Sequence, residues 1–215
     1  MNSEYARWSA IYQGTKYYYG FDAGPVARRA VRYHHPLLGG AASSALDIGC
    51  GEGQDLAFLA SCGYEATGVD FVPSAVEKAK RLLEQRQLEA HCFQSDLREW
   101  DWSGRYDLVL AVNCLQFLGE DALGVLKKVQ DSVAPGGVLG LSLFACETGN
   151  CVQEGVFFTA LPELMKQFDC EGTGRSWQML ETAQLWQWNA NTNAPQPFVT
   201  IIAQRTVNEI LNIQL

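Results

Sequence analysis

Short apolar runs alternate with helical patterns from residue 44 onward. In the helical stretches apolar residues recur every three or four positions, whereas the short runs suit strands that are buried on both faces. Strands are predicted at residues 44–48, 65–69, 90–94, 106–112 and 138–144. Helices are predicted between them at residues 54–62, 73–87 and 121–133, the last one stopped by Pro135-Gly136-Gly137. This alternation predicts a doubly wound parallel sheet, which binds ligands at the carboxyl ends of its strands.

Residues 1–43 contain no such strand and are rich in aromatic side chains. Seven aromatic residues lie between positions 5 and 21, and those at 5, 8 and 12 would share one face of a helix. Glycines at 14, 20 and 24 interrupt this pattern before a second short helix, predicted at residues 25–32. Two interpretations stay open: a helical cap that packs on the sheet, or a lid that closes a ligand pocket with tyrosine hydroxyls at its rim.

The last third of the chain has a different pattern. A helix is predicted at residues 161–168, followed by two β-like stretches at 174–182 and 198–205 with a polar turn at 187–197 between them. Strands joined in this way form an antiparallel hairpin, here at the edge of the sheet. We therefore divide the chain into a cap or lid (1–43), a ligand-binding domain (44–205) and an apolar-polar tail (206–215), which could dock on the body or on a second chain.

The turn after the first predicted strand carries the strongest chemical signal. Residues 45–53 read Ala-Leu-Asp-Ile-Gly-Cys-Gly-Glu-Gly, with Gly49, Gly51 and Gly53 at every second position. Glycines let a backbone approach a ligand closely, and the helix that follows offers free N–H groups at its start. Asp47, just before the turn, could order the loop or pair with a ligand ammonium. Nicotinamide, flavin and S-adenosylmethionine (SAM) folds all use such a turn, and it can also be purely structural.

Polar residues also follow the next three strands. Asp70, 21 residues after Gly49, could accept hydrogen bonds from both hydroxyls of a ribose. Asp96 could accept from an adenine amine while the Leu97 N–H donates to the ring, although it could also merely cap a turn. Asn113 ends the fourth strand. A nicotinamide protein would need a Gly-x-Gly-x-x-Gly spacing, whereas residues 49–54 read Gly-Cys-Gly-Glu-Gly-Gln.

Composition narrows the classes of function. A chain of 215 residues with 47% hydrophobic content fits one large domain, and its net charge of −8 argues against a general nucleic-acid binder. No apolar run reaches the roughly 20 residues of a membrane span, and the start of the chain lacks a signal-peptide pattern. Seven widely spaced cysteines without a Cys-x-x-Cys motif indicate reduced, mostly buried thiols in a cytoplasmic protein. Three histidines without ligand spacing argue against a metal.

Five motifs in order resemble those of the class I SAM-dependent methyltransferases, over roughly residues 44–144. They are residues 46–53, Gly68-Val69-Asp70, Ser95-Asp96-Leu97, residues 106–109 and the stretch from Leu126 through Pro135-Gly136-Gly137. Tyr17-Tyr18-Tyr19-Gly20, Phe158-Thr159 and the overall size are more loosely similar to the tellurite-resistance and thiopurine methyltransferase-like small-molecule enzymes. Residues 113–116, Asn-Cys-Leu-Gln, differ from the Asn-Pro-Pro-Tyr of DNA and protein-amide N-methyltransferases.

The resemblance implies a fold and a cofactor site. The fold is α/β, a Rossmann-like doubly wound seven-stranded sheet of order 3-2-1-4-5-7-6 with strand 7 antiparallel, here with an N-terminal helical cap. SAM would lie across the ends of strands one to four, in a SAM-binding methyltransferase domain at residues 44–205. The cofactor-binding residues implied are Asp47, Gly49, Cys50, Gly51, Gly53, Asp70, Phe71, Asp96, Leu97 and Asn113. Cys50 is expected to be a small filler rather than a nucleophile.

The methyl acceptor is less defined than the cofactor. Methyl transfer from a sulfonium is an in-line displacement, helped by alignment and a dry pocket, and no obligatory base follows from it. A thiol, selenol or halide needs none, whereas an oxygen or ring nitrogen can need one. His34 and His35 are candidate bases, and the candidate substrate contacts are Tyr17, Tyr18, Tyr19, Gln116 and Trp177. The favoured hypothesis is a small-molecule SAM-dependent methyltransferase with no nucleic-acid or membrane partner; the alternative is a SAM-binding regulatory or accessory protein without transferase activity.

Overall fold

The computed structural model describes residues 3–34, 43–146, 155–168, 176–189 and 194–207. Of the tail predicted at 206–215, only Thr206 and Val207 lie within these ranges. The helices are α1 (Ser3–Tyr12), α2 (Pro25–His34), α3 (Gln54–Ser61), α4 (Pro73–Arg86), α5 (Ala122–Ser132), α6 (Leu161–Lys166) and a 3-10 helix at Leu115–Asp121. The strands are β1 (Ser43–Ile48), β2 (Tyr64–Asp70), β3 (His91–Gln94), β4 (Tyr106–Val112), β5 (Val133–Phe144), β6 (Trp177–Asn189) and β7 (Ala194–Arg205).

All seven strands form one sheet of order β3-β2-β1-β4-β5-β7-β6. The first five strands are parallel, and β7 runs antiparallel between β5 and β6. The Rossmann-like seven-stranded sheet implied by the motifs is therefore confirmed. The hairpin of β6 and β7 lies at the edge of the sheet, as predicted.

Successive residues of the central strands pack into two different helical layers. On β4, Leu108 and Leu110 face the layer that contains α2, α3 and α4, whereas Val109 and Ala111 face α5 and α6. All four side chains are fully buried, which explains why this strand reads as a continuous apolar run. Burial of one such leucine contributes roughly 1.5–3 kcal/mol. The sheet is thus rigidly held, and it fixes the positions of the turns at its carboxyl edge.

The N-terminal helices pack in two different places. Helix α2 belongs to the layer over β4 and β5, through Val26, Ala27 and Ala30. Helix α1 instead rests on the start of α4, where Trp8 and Tyr12 form a small cluster with Val72 and Ala75. Both N-terminal helices therefore pack on the body of the protein, and α1 lies over the carboxyl edge of the sheet.

Two predicted boundaries are wrong. Helix α5 ends at Ser132, and Pro135-Gly136-Gly137 lies inside β5, close to a shift in the register between β4 and β5. The polar turn predicted at residues 187–197 is too long, because β6 extends to Asn189 and β7 begins at Ala194. In the hairpin, pairing between the two strands overrides the local preference for a turn. In β5, residues 134–137 lie between the paired positions Val133 and Val138, and Gly136 has a φ of 83°.

The cysteines differ from expectation at one position. Cys50, Cys62, Cys92 and Cys114 are free thiols, but Cys146 is disulfide-bonded. The prediction that all thiols are reduced is wrong there, since spacing along the chain does not reveal which cysteines meet in space. Within the described ranges, no helix combines the length and apolar character needed to cross a membrane. No group of three or more potential ligand side chains in that part of the chain could hold a metal ion.

Candidate active site

A cavity of about 520 Å³ lies over the carboxyl ends of β1, β2 and β4. Its walls also include parts of α1, α2, the 3-10 helix and the β6–β7 hairpin. Nine of the predicted cofactor residues line it: Asp47, Gly49, Cys50, Gly51, Asp70, Phe71, Asp96, Leu97 and Asn113. The tenth, Gly53, does not. A Cβ at Gly53 would lie 2.7 Å from the Cβ of Ala79, so this glycine permits close packing of the turn on α4.

The glycine turn is built so that side chains from elsewhere fit against it. Gly49 and Gly51 have φ angles of 64° and 53°, which L-residues rarely adopt. A Cβ at Gly49 would lie 2.3 Å from the Cβ of Cys114, and one at Gly51 would lie 3.0 Å from the Tyr12 hydroxyl. The backbone of this turn is therefore exposed to the cavity between Cys114 and Tyr12.

Asp70 joins the end of β2 to the glycine turn. Its Oδ2 accepts the Gly51 N–H at 2.9 Å, and its Oδ1 accepts the Val72 N–H at 2.9 Å. The residue is only 5% exposed, and this burial raises the pKa of the carboxyl to about 6, with the backbone hydrogen bonds opposing the shift. Each oxygen keeps a further lone pair, so the carboxylate can still accept from a ligand hydroxyl.

Asp96 is paired within the chain, a contact that its sequence context did not reveal. Arg98 Nη1 lies 3.0 Å from its Oδ2, and the Arg98 N–H donates to its Oδ1 at 2.9 Å. The same guanidinium pairs with Asp121 at 2.6 Å, and Arg98 itself lines the cavity. The Asp96 carboxylate is therefore oriented by Arg98 before any ligand binds.

The end of β4 has an unusual backbone. Asn113 is a non-glycine residue with a φ of 53°. Its N–H donates to the Ser142 carbonyl at 2.9 Å, and its side-chain oxygen accepts the Ser142 hydroxyl at 2.8 Å. Strained residues of this kind cluster at functional sites. The bend places Cys114 against Gly49 and begins the 3-10 helix, an element that was not predicted from the sequence.

Buried carboxyl groups without a cationic partner surround the turn. Asp47 is 2% exposed, and its Oδ2 has no hydrogen-bond partner among the described residues. Asp55 Oδ1 accepts the Gly24 N–H at 2.6 Å. Burial, together with nearby Asp55, raises the pKa of Asp47 well above its usual range, and burial also raises the pKa of Asp55. Within the described ranges, no Lys or Arg forms an ion pair with Asp47, Asp55 or Asp70. This side of the cavity is suited to a cation.

A buried ion pair fixes the N-terminal segment to the glycine turn. Glu52 Oε1 lies 2.7 Å from Lys78 Nζ, and Glu52 Oε2 accepts the N–H groups of Tyr18 and Tyr19 at 2.6 and 3.3 Å. Lys78 Nζ also donates to the carbonyl of Lys16 at 2.8 Å. We refer to this arrangement as the Glu52–Lys78 pair. It holds the turn at residues 16–19 in place, a contact between distant positions that sequence spacing could not reveal.

Of the five predicted substrate contacts, only Tyr19 lines the cavity. The Tyr17 hydroxyl donates to the Lys78 carbonyl at 2.9 Å, and Tyr18 is exposed, with its ring against Tyr19. Consecutive residues of a turn point in different directions, so the three tyrosines separate.

Gln116 and Trp177 also lie away from the cavity. Gln116 is fully buried in the 3-10 helix. Trp177 begins β6, where it pairs with Arg205 and packs against Phe168. This position is at the edge of the sheet where the parallel strands begin, opposite the cavity. The geometry therefore does not support Tyr17, Tyr18, Gln116 or Trp177 as substrate contacts.

The candidate histidine base is also elsewhere. His34 Nδ1 is hydrogen-bonded to the Tyr64 hydroxyl at 2.7 Å, and neither residue lines the cavity. His35 lies outside the described residues. Aromatic rings outside the predicted list of site residues also line the cavity: Trp8, Tyr12, Phe117, Trp186 and Phe198. Their apolar character was visible, but only the folded chain brings them together.

Comparison with known proteins matches residues 45–137 to a family model described as a methyltransferase domain. The ubiquinone biosynthesis O-methyltransferase of Rickettsia typhi is 29% identical over 97 residues, which are 45% of this chain and 39% of that protein. The trans-aconitate 2-methyltransferase of Azoarcus sp. strain BH72 is 31% identical over 104 residues, 47% of this chain and 39% of that protein. The chain thus spans about two fifths of the length of these curated relatives.

Solved structures share the whole fold. TehB from Haemophilus influenzae superposes with a TM-score of 0.71 at 17% identity, covering 94% of this chain and 66% of that one. The N-methyltransferase NodS from Bradyrhizobium japonicum WM9, in complex with S-adenosylhomocysteine (SAH), has a TM-score of 0.66 at 19% identity, covering 93% and 97%. Residues 45–137 of the chain therefore match a methyltransferase domain, in agreement with the motifs that resemble the class I SAM-dependent methyltransferases.

Proposed function

We propose that this chain binds SAM and transfers its methyl group to a small-molecule acceptor by in-line displacement. The observation that carries the proposal is the excess of unpaired carboxyl groups around the glycine turn, above all the buried Asp47 Oδ2 without a hydrogen-bond partner. SAM carries two positive groups, a sulfonium and an ammonium, and one negative carboxylate, so its net charge is positive. A dinucleotide carries a negative pyrophosphate. A cavity of this charge favours the first ligand and repels the second.

Six of the predicted cofactor residues have roles that their geometry allows: Asp47, Gly49, Gly51, Asp70, Asp96 and Leu97. Asp70 would accept from the ribose hydroxyls, Asp96 with the Leu97 N–H would hold the adenine, and Asp47 would face the ammonium. When bound, SAM supplies a methyl group activated by a positive sulfur. Gly49 and Gly51 line the cavity, and their lack of a side chain lets Cys114 and Tyr12 pack against the turn beside it.

The rest of the cavity favours a transferase over a protein that only binds SAM. Beyond the cofactor half, the walls continue along the aromatic rings, which leaves a concave space for an acceptor. No histidine among the described residues lines it, and burial raises the pKa values of Tyr12 and Tyr19, so neither phenol is a ready base. Alignment and exclusion of water would therefore supply the acceleration. The names of the two curated relatives, which refer to ubiquinone biosynthesis and trans-aconitate, support a small-molecule acceptor.

We further propose that residues 1–43 act as a lid over the domain at 44–205. Tyr12 and Tyr19 line the cavity, and the Glu52–Lys78 pair connects their segment to the glycine turn. Occupation of the turn by SAM would then order the segment and close the acceptor space. The tail at 206–215 and a cytoplasmic location stay predictions from the sequence.

Calorimetry with SAM, SAH and NAD tests the proposal. We expect micromolar dissociation constants for SAM and SAH, about −8 kcal/mol, and no binding of NAD. Asp70→Asn should weaken SAM and SAH, whereas the matched change Asp101→Asn, at an exposed position outside the cavity, should not. Binding of NAD without binding of SAM would refute the ligand assignment. A screen with labelled SAM over thiols, phenols, amines and oxyanions would then identify the acceptor.

A further inference from the structure

A row of five aromatic rings runs along the cavity, and four of them line it: Trp8, Tyr19, Phe117 and Phe198. The ring centroids of Tyr19 and Trp8 lie 6.5 Å apart, and those of Trp8 and Phe117 lie 5.1 Å apart. Phe117 contacts Phe144 at 5.6 Å, and Phe144 contacts Phe198 at 5.1 Å. We call these five rings the aromatic row; it connects the N-terminal segment to the β6–β7 hairpin. Ring faces bind flat apolar bodies and attract cations.

Among the residues that the structure describes, none in the cavity lining is an unpaired cation for an anionic ligand. The only Lys or Arg residues among its described lining are Arg29 and Arg98. Arg29 is paired with Glu181 at 2.6 Å. Arg98 is paired with Asp96 at 3.0 Å and with Asp121 at 2.6 Å. A carboxylate or oxyanion that entered the cavity would have to break one of these ion pairs.

Carboxyl groups also line the cavity. Four lining carboxyls form no ion pair with any described residue: Asp22, Asp47, Asp55 and Asp70. Burial raises the pKa of Asp47, Asp55 and Asp70, which favours their neutral forms. Asp22, in contrast, is exposed and lines the cavity. It is the carboxyl placed to act on an entering molecule.

We infer, on the basis of the proposed function, that the acceptor is an amine on a flat apolar body and that the methyl group goes to its nitrogen. The substrate ammonium first loses a proton to solvent at the mouth. The freed lone pair forms the N–C bond while the C–S bond breaks, and that electron pair stays on sulfur. The products are a methylated ammonium, neutral-sulfur SAH and one proton, so charge and atoms balance. The positive charge of the sulfonium passes to nitrogen and stays beside the aromatic row.

Matched pairs of ligands test the charge preference directly. Calorimetry on the SAH-saturated protein at neutral pH would compare tryptamine with indole-3-propionate, and phenethylamine with 3-phenylpropionate. Each pair shares a ring and differs in the sign of its terminal charge. We expect the amines to bind about tenfold tighter or more. With labelled SAM, the label should appear on nitrogen.

Two variants separate the contributions of charge and rings. Asp22→Asn should reduce the preference for the amine by about threefold while the SAH affinity stays the same. Asp101→Asn is the matched control and should change neither. Phe198→Leu, which removes a ring of the aromatic row that lines the cavity and keeps an apolar side chain, should weaken both members of each pair by similar factors.

The outcomes distinguish this inference from the proposed function. Equal or tighter binding of the carboxylates, transfer to oxygen, or binding of neither amine overturns the inference. If SAH still binds in those cases, the proposed function stands. If SAH itself does not bind, the proposed function fails and the inference fails with it.

Discussion

The Glu52–Lys78 pair should carry much of the stability of the N-terminal segment. Lys78→Met keeps the length of the side chain and removes its ammonium. Glu52, which is 0% exposed, then keeps only the backbone N–H groups of Tyr18 and Tyr19. Removing one partner of a buried ion pair costs about 3–5 kcal/mol, because the other charge stays buried without compensation. In a domain of this size each kcal/mol lowers Tm by about 2–4 °C.

A double variant measures the interaction free energy between Glu52 and Lys78. Glu52→Gln alone should cost about 1–3 kcal/mol, because the Lys78 ammonium then keeps the Lys16 carbonyl and the Tyr17 ring but loses its charged partner. In Glu52→Gln/Lys78→Met no buried charge remains, and the glutamine can still accept the Tyr18 N–H. We therefore expect the double variant to be more stable than the sum of the two single changes by about 2 kcal/mol or more.

Urea unfolding followed by circular dichroism measures these free energies, and hydrogen exchange at residues 16–19 reports whether the segment detaches first. Lys80→Met is the matched control, since Lys80 lies on the same helix and pairs with Glu77 in solvent, with side chains 49% and 62% exposed. It should change the stability by less than about 0.5 kcal/mol. Additive single variants, or a Lys78→Met effect no larger than that of the control, would refute the role of the pair.

Further expectations concern the glycine turn, its aspartate and the lid. Asp70→Ala should weaken SAM by about 2–4 kcal/mol in calorimetry, and parent-like binding would mean that the ribose lies elsewhere. Gly51→Val should be comparably damaging, since its Cβ would lie 3.0 Å from the Tyr12 hydroxyl at a φ of 53°. The folded pKa of Asp70, about 6, lies above the ordinary 3.8, so its protonation stabilises the free protein. This contribution to the free energy of unfolding is complete below pH 3.8 and disappears as the pH rises through 6. Between pH 4 and 7 the loss of this contribution should therefore lower the free energy of unfolding, and Asp70→Asn should remove that decrease. Deleting residues 1–20 should leave a folded core that binds SAM more weakly and methylates no acceptor. In the parent protein, SAH should raise the hydrogen-exchange protection of residues 5–24. Equal protection with and without SAH would favour a static cap.

The central strands are the part of the fold that the sequence predicts best. β4 matches its predicted range of 106–112, because a strand covered on both faces must be apolar at every position. Pro135-Gly136-Gly137 misled the prediction of β5 because the preference for a turn is local, whereas strand pairing depends on distant residues. The order of the strands came from the resemblance of the motifs rather than from periodicity.

The residues of the site also divide into those that the sequence predicts and those that it does not. Asp47 and Asp70 reach the cavity because each is adjacent in sequence to a strand end that the sheet fixes in place. Trp177 does not, because it begins a strand rather than ending one, and the direction of β6 was not readable from its composition. The ion pairs of Arg98 and Lys78 depend on which distant carboxylates fold beside them. Sequence patterns contain no direct signal for such partners.

The ion pair between Arg29 and Glu181 has a consequence for the order of folding. The two residues are 152 positions apart, and Arg29 lies on a wall of the cavity. During synthesis, the strands that carry the glycine turn and Asp70 can pair well before the hairpin of β6 and β7 has emerged. Contacts between residues so far apart form late, since closing a long loop costs entropy before the contact repays it. A nascent chain would therefore complete the half that holds the cofactor while the acceptor half still lacks one of its sides.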